Sequence, residues 1–317
     1  MTEQEILSFL ERFLPQPPGQ LVKGVGDDCA VVEEGERALL LTVDAMIEGV
    51  HFDLAYFSPL FLGRKLAAVN LSDVAAMGGE PRFALLTLGL PRGPEKAFLE
   101  EFFRGLSARL REFGAYLVGG DCVRSREICL SLSLLGEAPR GEVVFRQGAR
   151  PGDWLFVSRP LGASAMALER LQEGRSVPES LLKAHLDPDP EITLGRALAQ
   201  EGLVSAMMDV SDGLLLDLAR LCQASQVGAE LFAEGIPLPA VEIALSRPPL
   251  DYALAGGEDF ALLFSVPPEK EETLRALARR LGRQVFKVGR CLAEKGLFLR
   301  QHNQRSPLAP EGFDHFS

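Results

Sequence analysis

Strand patterns and helix patterns alternate along the whole chain. Apolar segments bounded by Gly, Pro or charged residues predict strands in the first half at residues 38–43, 82–90, 115–118 and 127–135. One helix pattern begins at Ser58 and Pro59 and stops at Gly78, and a second covers residues 94–113. Because such an order requires a sheet covered by helices, the first half is predicted to be an α/β or α+β domain.

A Gly- and Pro-rich segment at residues 140–154 separates this half from a second one. Beyond it, strand-like segments alternate with helix patterns at residues 162–173, 190–201, 212–224 and 269–282. We therefore predict two α/β domains, residues 1–140 and residues 141–317. At the N-terminus, apolar residues recur at helical spacing, which predicts an amphipathic helix that stops at Pro15.

The charge balance narrows the classes of partner. Lys and Arg number 33 against 44 Asp and Glu, which gives a formal net charge of −11. A chain this acidic has no general field that attracts nucleic acid or an anionic membrane surface. No apolar stretch reaches the ~20 residues that a membrane span needs. The five cysteines include no Cys-x-x-Cys pair, which argues against a disulfide framework or a zinc knuckle and favours a reducing, cytoplasmic location.

The common phosphate-binding and hydrolytic motifs are missing from the sequence. The chain has no Gly-Lys dipeptide, which excludes a P-loop, and Gly24-x-Gly26 lacks the third glycine of a dinucleotide-binding fingerprint. No His-Glu-x-x-His, Gly-x-Ser-x-Gly or kinase catalytic-loop motif is present either. A phosphate-bearing ligand would therefore need metal ions or local hydrogen-bond donors.

Carboxylates recur instead at turns and strand ends. They occur in GDD (26–28), TVD (42–44), NLSD (70–73), GGD (119–121), DVSDG (209–213) and GGED (256–259). Taken singly, most of them are explained as helix caps or turn residues. Together, so many carboxylates at the ends of buried strands would repel one another without cations. Hard oxygen ligands of this kind suit Mg²⁺, so the set predicts a magnesium site that also takes a substrate phosphate.

These motifs and their neighbours resemble the thiamine-monophosphate kinase family. The matching segments, in the family's order, are GDDCAVV (26–32), TVDAMIEGVHF (42–52), AAVNLSDVAAMGGEPRFALLTLGLP (67–91), GGDCVRS (119–125), QGARPGDWLFVS (147–158), DVSDGLLLDL (209–218) and GGEDFALLF (256–264). The resemblance covers nearly the whole chain. It implies the two-domain, PurM-like fold of the aminoimidazole ribonucleotide synthetase superfamily. In that fold the N-terminal domain binds ATP and metal and pairs with its copy to form a homodimer around a shared β-barrel.

The resemblance also implies an activity and a set of site residues. The activity is ATP-dependent conversion of thiamine monophosphate to thiamine diphosphate. The implied Mg²⁺ ligands are Asp28, Thr42, Asp44, Asp73, Asp121, Asp209 and Asp212. The implied ATP contacts are Gly120, Asp121, Arg146 and Ser211, and the implied thiamine contacts are His51, Glu258 and Phe313. On the sequence alone, His51 can equally form a structural hydrogen bond, Arg146 can be a solvated side chain, and Glu258 a turn carboxylate.

Elementary phosphate chemistry agrees with the implied reaction. The attacking group would be a phosphate monoester with a second pKa of about 6, which is mostly dianionic at neutral pH and needs no general base. The obstacle is repulsion between two anionic phosphates, and bridging cations with in-line positioning remove it. We therefore expect direct transfer without a phosphoenzyme.

Three alternatives remain open from the sequence. Another ATP-using enzyme of the superfamily would share the fold, although GQLVKGVGDD (19–28) does not match the loop of selenophosphate synthetases. The chain also ends in His-Phe-Ser and lacks the C-terminal cysteine of hydrogenase-maturation relatives. A non-catalytic nucleotide-binding module would keep the metal cluster without turnover. A metal-dependent phosphatase would release phosphate without an acceptor product.

Overall fold

A computed structural model describes residues 3–14, 19–91, 93 and 95–313, and in this part of the chain two β-sheets each carry helices. The elements in chain order are α1 (Glu3–Glu11), β1 (Leu21–Lys23), β2 (Ala30–Glu34), β3 (Arg37–Ile47), α2 (Pro59–Ala76), β4 (Glu80–Leu90), α3 (Lys96–Glu112), β5 (Tyr116–Arg124), β6 (Cys129–Pro139), β7 (Trp154–Val157), α4 (Ala163–Gln172), α5 (Glu179–Leu186), α6 (Ile192–Gln200), β8 (Ala206–Val210), α7 (Leu214–Ser225), β9 (Gly228–Phe232), α8 (Pro249–Ala255), β10 (Ala261–Val266), α9 (Glu271–Arg280), β11 (Phe286–Leu292), β12 (Leu297–Gln301) and β13 (Gln304–Leu308). Two short 3₁₀ helices follow β9 and β10.

The first sheet has the strand order β1-β2-β3-β6-β4-β5, in which β4 and β5 run parallel and the other pairs are antiparallel. Side chains along its strands alternate between two faces, as the period of two requires. In β3, Leu40 and Met46 are buried, whereas Leu41 and Val43 are exposed. The inner face packs against α2 and α3, so the outer face of the sheet carries exposed apolar side chains.

Helix α2 lies between the two sheets and is buried on almost every side. It begins where the sequence predicts, because the Ser58 hydroxyl accepts a hydrogen bond from the Phe61 amide at 3.4 Å and Pro59 is the first helical residue. The helix contacts β3 and β6 on one side and α6 and β8 on the other. Polar side chains on α2 must therefore find partners inside the protein.

The second sheet has the strand order β13-β12-β9-β11-β7-β10-β8. It is mixed, since β12 and β9 are parallel and the other pairs are antiparallel. Every residue of β8 and β10 is buried, as their nearly continuous apolar sequences require. Asp209 is thus a buried carboxylate in β8, where a charge is costly without compensation.

The alternation predicted from the sequence is confirmed in both halves, and with it the two-domain α/β fold. The predicted strands of the first half correspond to β3, β4, β5 and β6, and the predicted helices of the second half correspond to α4, α6, α7 and α9. The sequence patterns did not predict α5, α8, β1, β2 or β13. The N-terminal helix is confirmed as α1, and its predicted stop at Pro15 lies outside the described residues.

The connection between the sheets runs from Pro139 to Trp154, within the segment predicted as a linker. The predicted boundary after residue 140 stays a prediction. Among the described residues neither sheet closes into a barrel, and the predicted shared barrel would need a second copy of the chain. None of the helices in this part of the chain has both the length and the apolar composition needed to cross a membrane.

Candidate active site

Three carboxylates from different elements converge beside α2. Asp28 lies in the turn before β2, Asp73 near the end of α2, and Asp209 in β8. Each places one carboxylate oxygen within 4.8 Å of the other two. Asp28 and Asp209 are buried, and Asp73 is half-buried. The position of α2 between the sheets therefore brings together aspartates that are far apart in the sequence.

The charges of these carboxylates are poorly compensated. Burial, reinforced by Asp44, raises the pKa of Asp73 well above its ordinary value. Burial, reinforced by Asp28, does the same to the pKa of Asp209. The buried Oδ2 atom of Asp28 has no hydrogen-bond partner among the described residues. A hard cation among these oxygens would relieve the repulsion and satisfy the unpaired oxygen, so the donor set fits Mg²⁺.

Two hydroxyl groups orient the carboxylates of the cluster. Thr42 on β3 donates a hydrogen bond to Asp73 Oδ2 at 2.5 Å. Ser72 on α2 donates one to Asp209 Oδ2 at 2.6 Å. Such bonds favour the ionised carboxylate and so oppose the effect of burial on its pKa. The second bond also joins α2 to the sheet of the C-terminal half.

Asn70 ties β3 to α2 one turn before Asp73. Its Oδ1 accepts a hydrogen bond from the Asp44 amide at 3.1 Å, and its Nδ2 donates to the Leu66 carbonyl at 3.0 Å. Asn70 is fully buried, so this link fixes the part of β3 that carries Asp44 into the cavity. No role was predicted for Asn70. The sequence does contain a signal for a structural role of Asn70. The chain has only two asparagines, and this one lies within an apolar helix pattern.

Arg146 contacts the same cluster from the connection between the sheets. One guanidinium nitrogen donates to Asp28 Oδ1 at 2.7 Å, and the backbone amide donates to Asp27 Oδ1 at 3.2 Å. Burial, reinforced by Asp28, raises the pKa of Asp27 to about 7. The buried Nε of Arg146 has no hydrogen-bond partner among the described residues, which leaves a donor for an anionic ligand.

The loop after β8 is held by two residues that were not predicted. Arg220 on α7 donates from one nitrogen to Asp212 Oδ2 at 2.5 Å and to Asp217 Oδ1 at 2.8 Å. Asp217 is fully buried, and burial, reinforced by Asp212, raises its pKa to about 7. A metal ion at Asp212 would therefore share that carboxylate with the guanidinium of Arg220.

The Gly-Gly-Glu-Asp loop before β10 carries Glu258 into the cavity. The Glu258 amide donates to the Ser211 carbonyl at 2.6 Å, and its φ of 66° is uncommon for a residue with a side chain. A Cβ at Gly257 would lie 2.8 Å from the Ser211 carbonyl oxygen, so this approach favours glycine. Lys65 on α2 forms an ion pair with Glu258 at 2.9 Å. No role was predicted for Lys65, although a lysine within an apolar helix pattern is a signal for a buried pair.

His51 and Phe313 lie in the same cavity. Nδ1 of His51 accepts a hydrogen bond from the Ile47 amide at 3.0 Å, so the neutral ring carries its proton on Nε2. The Phe313 amide donates to the Asp212 carbonyl at 2.9 Å, and the side chain is 45% exposed. Both aromatic rings can therefore meet a ligand that enters from solvent.

Most of the predicted site residues line one cavity of about 800 Å³. They are Asp28, Thr42, Asp44, His51, Asp73, Arg146, Asp209, Ser211, Asp212, Glu258 and Phe313. Gly120 and Asp121 are not among the residues that line it, because both lie on the exposed edge strand β5. Within one copy of the chain, the structure thus brings together the predicted residues of both halves except those on β5.

The chain matches two related families over most of its length. The family described as AIR synthase related protein, N-terminal domain, matches residues 26–138, and the corresponding C-terminal domain matches residues 150–302. The thiamine-monophosphate kinase of Escherichia coli (strain K12) is 36% identical over 306 residues, which is 93% of this chain and 92% of that protein. The thiamine-monophosphate kinase of Aquifex aeolicus (strain VF5) is 36% identical over 303 residues, which is 93% of each chain.

A solved structure of a relative, AaThiL complexed with AMPPCP and TMP, matches nearly the whole chain. The TM-score is 0.86 at 34% sequence identity, and the match covers 99% of this chain and 97% of that one. The predicted family and the predicted class of enzyme, a thiamine-phosphate kinase, are therefore confirmed. With both domains matched and more than a third of the residues identical, the chain belongs to the thiamine-monophosphate kinase family of AIR synthase related proteins.

Proposed function

We propose that this chain transfers the γ-phosphoryl group of ATP to thiamine monophosphate by direct in-line transfer assisted by several Mg²⁺ ions. The products are thiamine diphosphate and ADP. The observation that carries the proposal is the convergence of Asp28, Asp73 and Asp209 in a cavity that both halves of the chain line. Family membership supports the same pair of substrates, because the relative AaThiL has been solved with AMPPCP and TMP.

Oxygen ligands in the cavity suit Mg²⁺. The cluster consists of carboxylates, to which the Thr42 and Ser72 hydroxyls donate, and no cysteine is among the described residues that line the cavity. When bound, such ions would supply positive charge that offsets the repulsion between the anionic phosphates of donor and acceptor. The residues of this cavity that would hold them are Asp28, Thr42, Asp44, Asp73, Asp209 and Asp212.

The ATP phosphates are assigned to the part of the cavity near Arg146 and Ser211. The guanidinium of Arg146 is well shaped for phosphate oxygens and has an unpaired buried Nε. Ser211 is held in place because its amide donates to Asp217 Oδ2 at 3.1 Å, just before the N-terminus of α7. The positive end of that helix dipole also favours an anionic ligand.

The acceptor needs orientation rather than activation. The phosphate of thiamine monophosphate has a second pKa of about 6, so it is already a nucleophilic dianion at neutral pH. Glu258, His51 and Phe313 are assigned to the thiamine part of the acceptor. A carboxylate accepts hydrogen bonds from an amino group of the pyrimidine, and an aromatic side chain provides an apolar wall. Together these residues would direct the acceptor phosphate towards the carboxylate cluster.

We further infer that two copies pair through the outer face of the first sheet. This face exposes a row of apolar side chains, each between 45% and 61% exposed: Leu41, Val43, Phe83, Leu85, Tyr116 and Val118. A contiguous exposed apolar patch of this kind marks an interface. Pairing of two such sheets would form the shared barrel that the family resemblance implies. Gly120 and Asp121 lie on the same sheet, so their contacts with ATP and metal are proposed to depend on this pairing.

A product assay tests the proposed function. The purified chain is incubated with ATP, Mg²⁺ and thiamine monophosphate, and the products are separated by liquid chromatography. We expect thiamine diphosphate and ADP in equal amounts, and neither when a chelator removes the Mg²⁺.

Other products identify the alternatives. ATP binding without turnover under these conditions would favour a non-catalytic nucleotide-binding module. Release of inorganic phosphate without thiamine diphosphate would favour a metal-dependent phosphatase. ADP formation only with a different acceptor would favour another ATP-using enzyme of the same superfamily. Each of these three results contradicts the proposed function.

A further inference from the structure

Lys65 is a buried lysine on the helix that separates the two sheets. Its side chain is 1% exposed, and its Nζ lies 2.9 Å from Glu258 Oε1. The ammonium also lies 5.2 Å from the centre of the Phe57 ring, in the range of a cation–π contact. A buried ammonium is stable only with a counter-charge nearby, so Lys65 depends on Glu258 and Glu258 depends on Lys65.

The second oxygen of Glu258 meets two other side chains. Oε2 lies 3.4 Å from Ser164 Oγ on α4 and 3.4 Å from His185 Nδ1 on α5. Ser164 Oγ and His185 Nδ1 are themselves 2.9 Å apart. Burial, reinforced by Lys65, lowers the pKa of His185 to about 3, so the ring is neutral at physiological pH. With its proton on Nδ1, His185 donates to Ser164, and the Ser164 hydroxyl donates to Glu258.

The carboxylate of Glu258 is therefore fixed before any ligand arrives. Burial raises its pKa, but the Lys65 ammonium more than offsets that effect and leaves the pKa below its ordinary value. Its backbone is fixed as well by the hydrogen bond to the Ser211 carbonyl. Three helices, α2, α4 and α5, hold a carboxylate that still lines the cavity. A carboxylate has about four acceptor positions, so it retains acceptor capacity for a ligand.

We propose that Lys65 is a positioning residue for thiamine monophosphate. Lys65 fixes the Glu258 carboxylate, so that the remaining acceptor positions of this carboxylate receive an amino-bearing heterocycle. The inference rests on the proposed function, because Glu258 is there assigned to the thiamine. Lys65 and Glu258 together are neutral, so this subsite selects a ligand by hydrogen-bond geometry more than by net charge. A ligand that lacks the amino donor would leave a buried acceptor unpaired and should bind about tenfold or more weakly.

A double-mutant cycle separates positioning from a purely structural role. The variants are Lys65→Met, Glu258→Gln and the two changes together, each of which replaces a charged side chain by a neutral one of similar size. The readouts are KM for thiamine monophosphate, KM for ATP, and the Kd for thiamine monophosphate measured by calorimetry without ATP. Lys96→Met is the matched control, because the Lys96 side chain is 89% exposed on α3.

We expect Lys65→Met and Glu258→Gln each to raise KM for thiamine monophosphate about tenfold or more, and KM for ATP by less than about twofold. In the Glu258→Gln background, Lys65→Met should add less than about twofold, because the carboxylate on which it acts is gone. Ser164→Ala should raise KM for thiamine monophosphate by a smaller factor, because it removes one contact to Oε2 only. The Lys96→Met control should leave all three readouts unchanged.

Two outcomes would overturn the proposal. In the first, the separate effects of Lys65→Met and Glu258→Gln multiply in the double variant. In the second, Lys65→Met raises KM for ATP as much as KM for thiamine monophosphate. The comparison of the double variant with Glu258→Gln remains decisive even if Lys65→Met alone does not fold, because the double variant buries no unpaired charge.

Failure of the proposed function gives a different result. In that case the wild-type protein forms no thiamine diphosphate at all. The Kd for thiamine monophosphate is measured without turnover, so the cycle still reports whether Lys65 acts through Glu258. Wild-type protein that neither turns over nor binds thiamine monophosphate would overturn both proposals together.

Discussion

The carboxylate of Asp217 accepts a hydrogen bond from the backbone amide of Ser211 at 3.1 Å. The same oxygen accepts from the next two amides at 3.0 and 3.1 Å, so one buried carboxylate orders three consecutive donors. Its other oxygen accepts from Arg220 at 2.8 Å. The loop held in this way carries Ser211 and Asp212 into the cavity, while Asp217 itself does not line it. Asp217 therefore sets the geometry of the proposed ATP subsite through the loop, without lining the cavity itself.

Replacing Asp217 with alanine should destabilise the protein and weaken ATP binding together. Unpaired buried amides cost about 1–3 kcal/mol each, so we expect the free energy of unfolding to fall by about 3 kcal/mol or more. KM for ATP should rise about tenfold, because Ser211 loses its support. Denaturant unfolding and initial rates measure the two effects.

The control for this prediction is Asp251→Ala, which makes the same chemical change in the first turn of α8. Asp251 does not line the cavity, and its replacement should change the free energy of unfolding by less than about 1 kcal/mol. If Asp217→Ala unfolds at the same denaturant concentration as the wild type, the loop after β8 does not depend on this carboxylate.

Much of the fold was predictable because its determinants are local. The cap at Ser58 and the proline at Pro59 mark the start of α2, and apolar segments bounded by turn residues mark the long strands. The short helices α5 and α8 were not predicted, because fewer than nine residues show too little periodicity. Strand order in the two sheets depends on contacts between distant segments, which no local pattern specifies.

The site was only partly predictable for the same reason. The acidic motifs identified the carboxylates Asp28, Asp44, Asp73, Asp209, Asp212 and Glu258, which line the cavity, but not most of its other lining residues. Lys65 and Asp217 were missed because their significance depends on partners that only the fold brings near. Asp217 lies in the first turn of α7, where an acidic side chain is already explained by its favourable interaction with the helix dipole. Asp121 lies on the exposed edge strand β5, and its predicted contacts depend on the proposed pairing with a second copy, which no local sequence pattern specifies.

Replacing Asp209 with asparagine should strongly lower turnover but stabilise the metal-free protein. The change removes one ionisable group from a buried cluster of carboxylates, whose burial and mutual repulsion oppose folding when no cation is bound. In a chelator, we expect Asp209→Asn to melt at a higher temperature than the wild type. When Mg²⁺ is added, the melting temperature of Asp209→Asn should rise by less than that of the wild type. Turnover at saturating Mg²⁺ should fall about 100-fold or more. Asp44→Asn and Asp121→Asn should also lower turnover.

The matched control for the metal prediction is Asp251→Asn, outside the cavity. It should melt at the wild-type temperature both with Mg²⁺ and with a chelator. A wild-type rate in Asp209→Asn at saturating Mg²⁺ would remove this residue from the proposed ligand set. A lower melting temperature in the chelator would show that the hydrogen bond from Ser72 outweighs the repulsion.

His185 should make the stability of the protein depend on pH in the acidic range. Its pKa is about 3 in the folded protein, against an ordinary value of 6.5. Between these values the unfolded chain binds one more proton, so the free energy of unfolding should rise by about 1.4 kcal/mol per pH unit and become constant above pH ~6.5. His185→Asn should lack this contribution. Denaturant unfolding at a series of pH values measures the difference between the two proteins.

The control for the pH prediction is His302→Asn, in the exposed turn between β12 and β13. This variant keeps His185, so it should keep the rise in the free energy of unfolding that His185 causes between pH 4 and pH 6. The free energy of unfolding of the wild type and that of His185→Asn could instead change with pH in parallel from pH 4 to pH 6. In that case His185 is not held neutral by its burial against Lys65 and Phe57.

Replacing Leu85 with aspartate should separate the proposed homodimer without unfolding the chain. Leu85 is 53% exposed on the outer face of β4, so a charge there costs little in one copy but would be buried between two. Size-exclusion chromatography with light scattering should give the mass of a dimer for the wild type and of a monomer for the variant. Because the predicted contacts of Asp121 depend on pairing, the variant should also lose turnover while its circular dichroism is unchanged.

Leu238→Asp provides the comparison, since Leu238 is 38% exposed in the chain between β9 and α8, away from the first sheet. That variant should keep the dimer and its turnover. A wild-type protein that is monomeric at micromolar concentration and still forms thiamine diphosphate would refute the pairing and leave the transfer reaction intact. A Leu85→Asp variant that is monomeric yet fully active would show that one copy completes the site, and Asp121 would then have no part in binding ATP or metal.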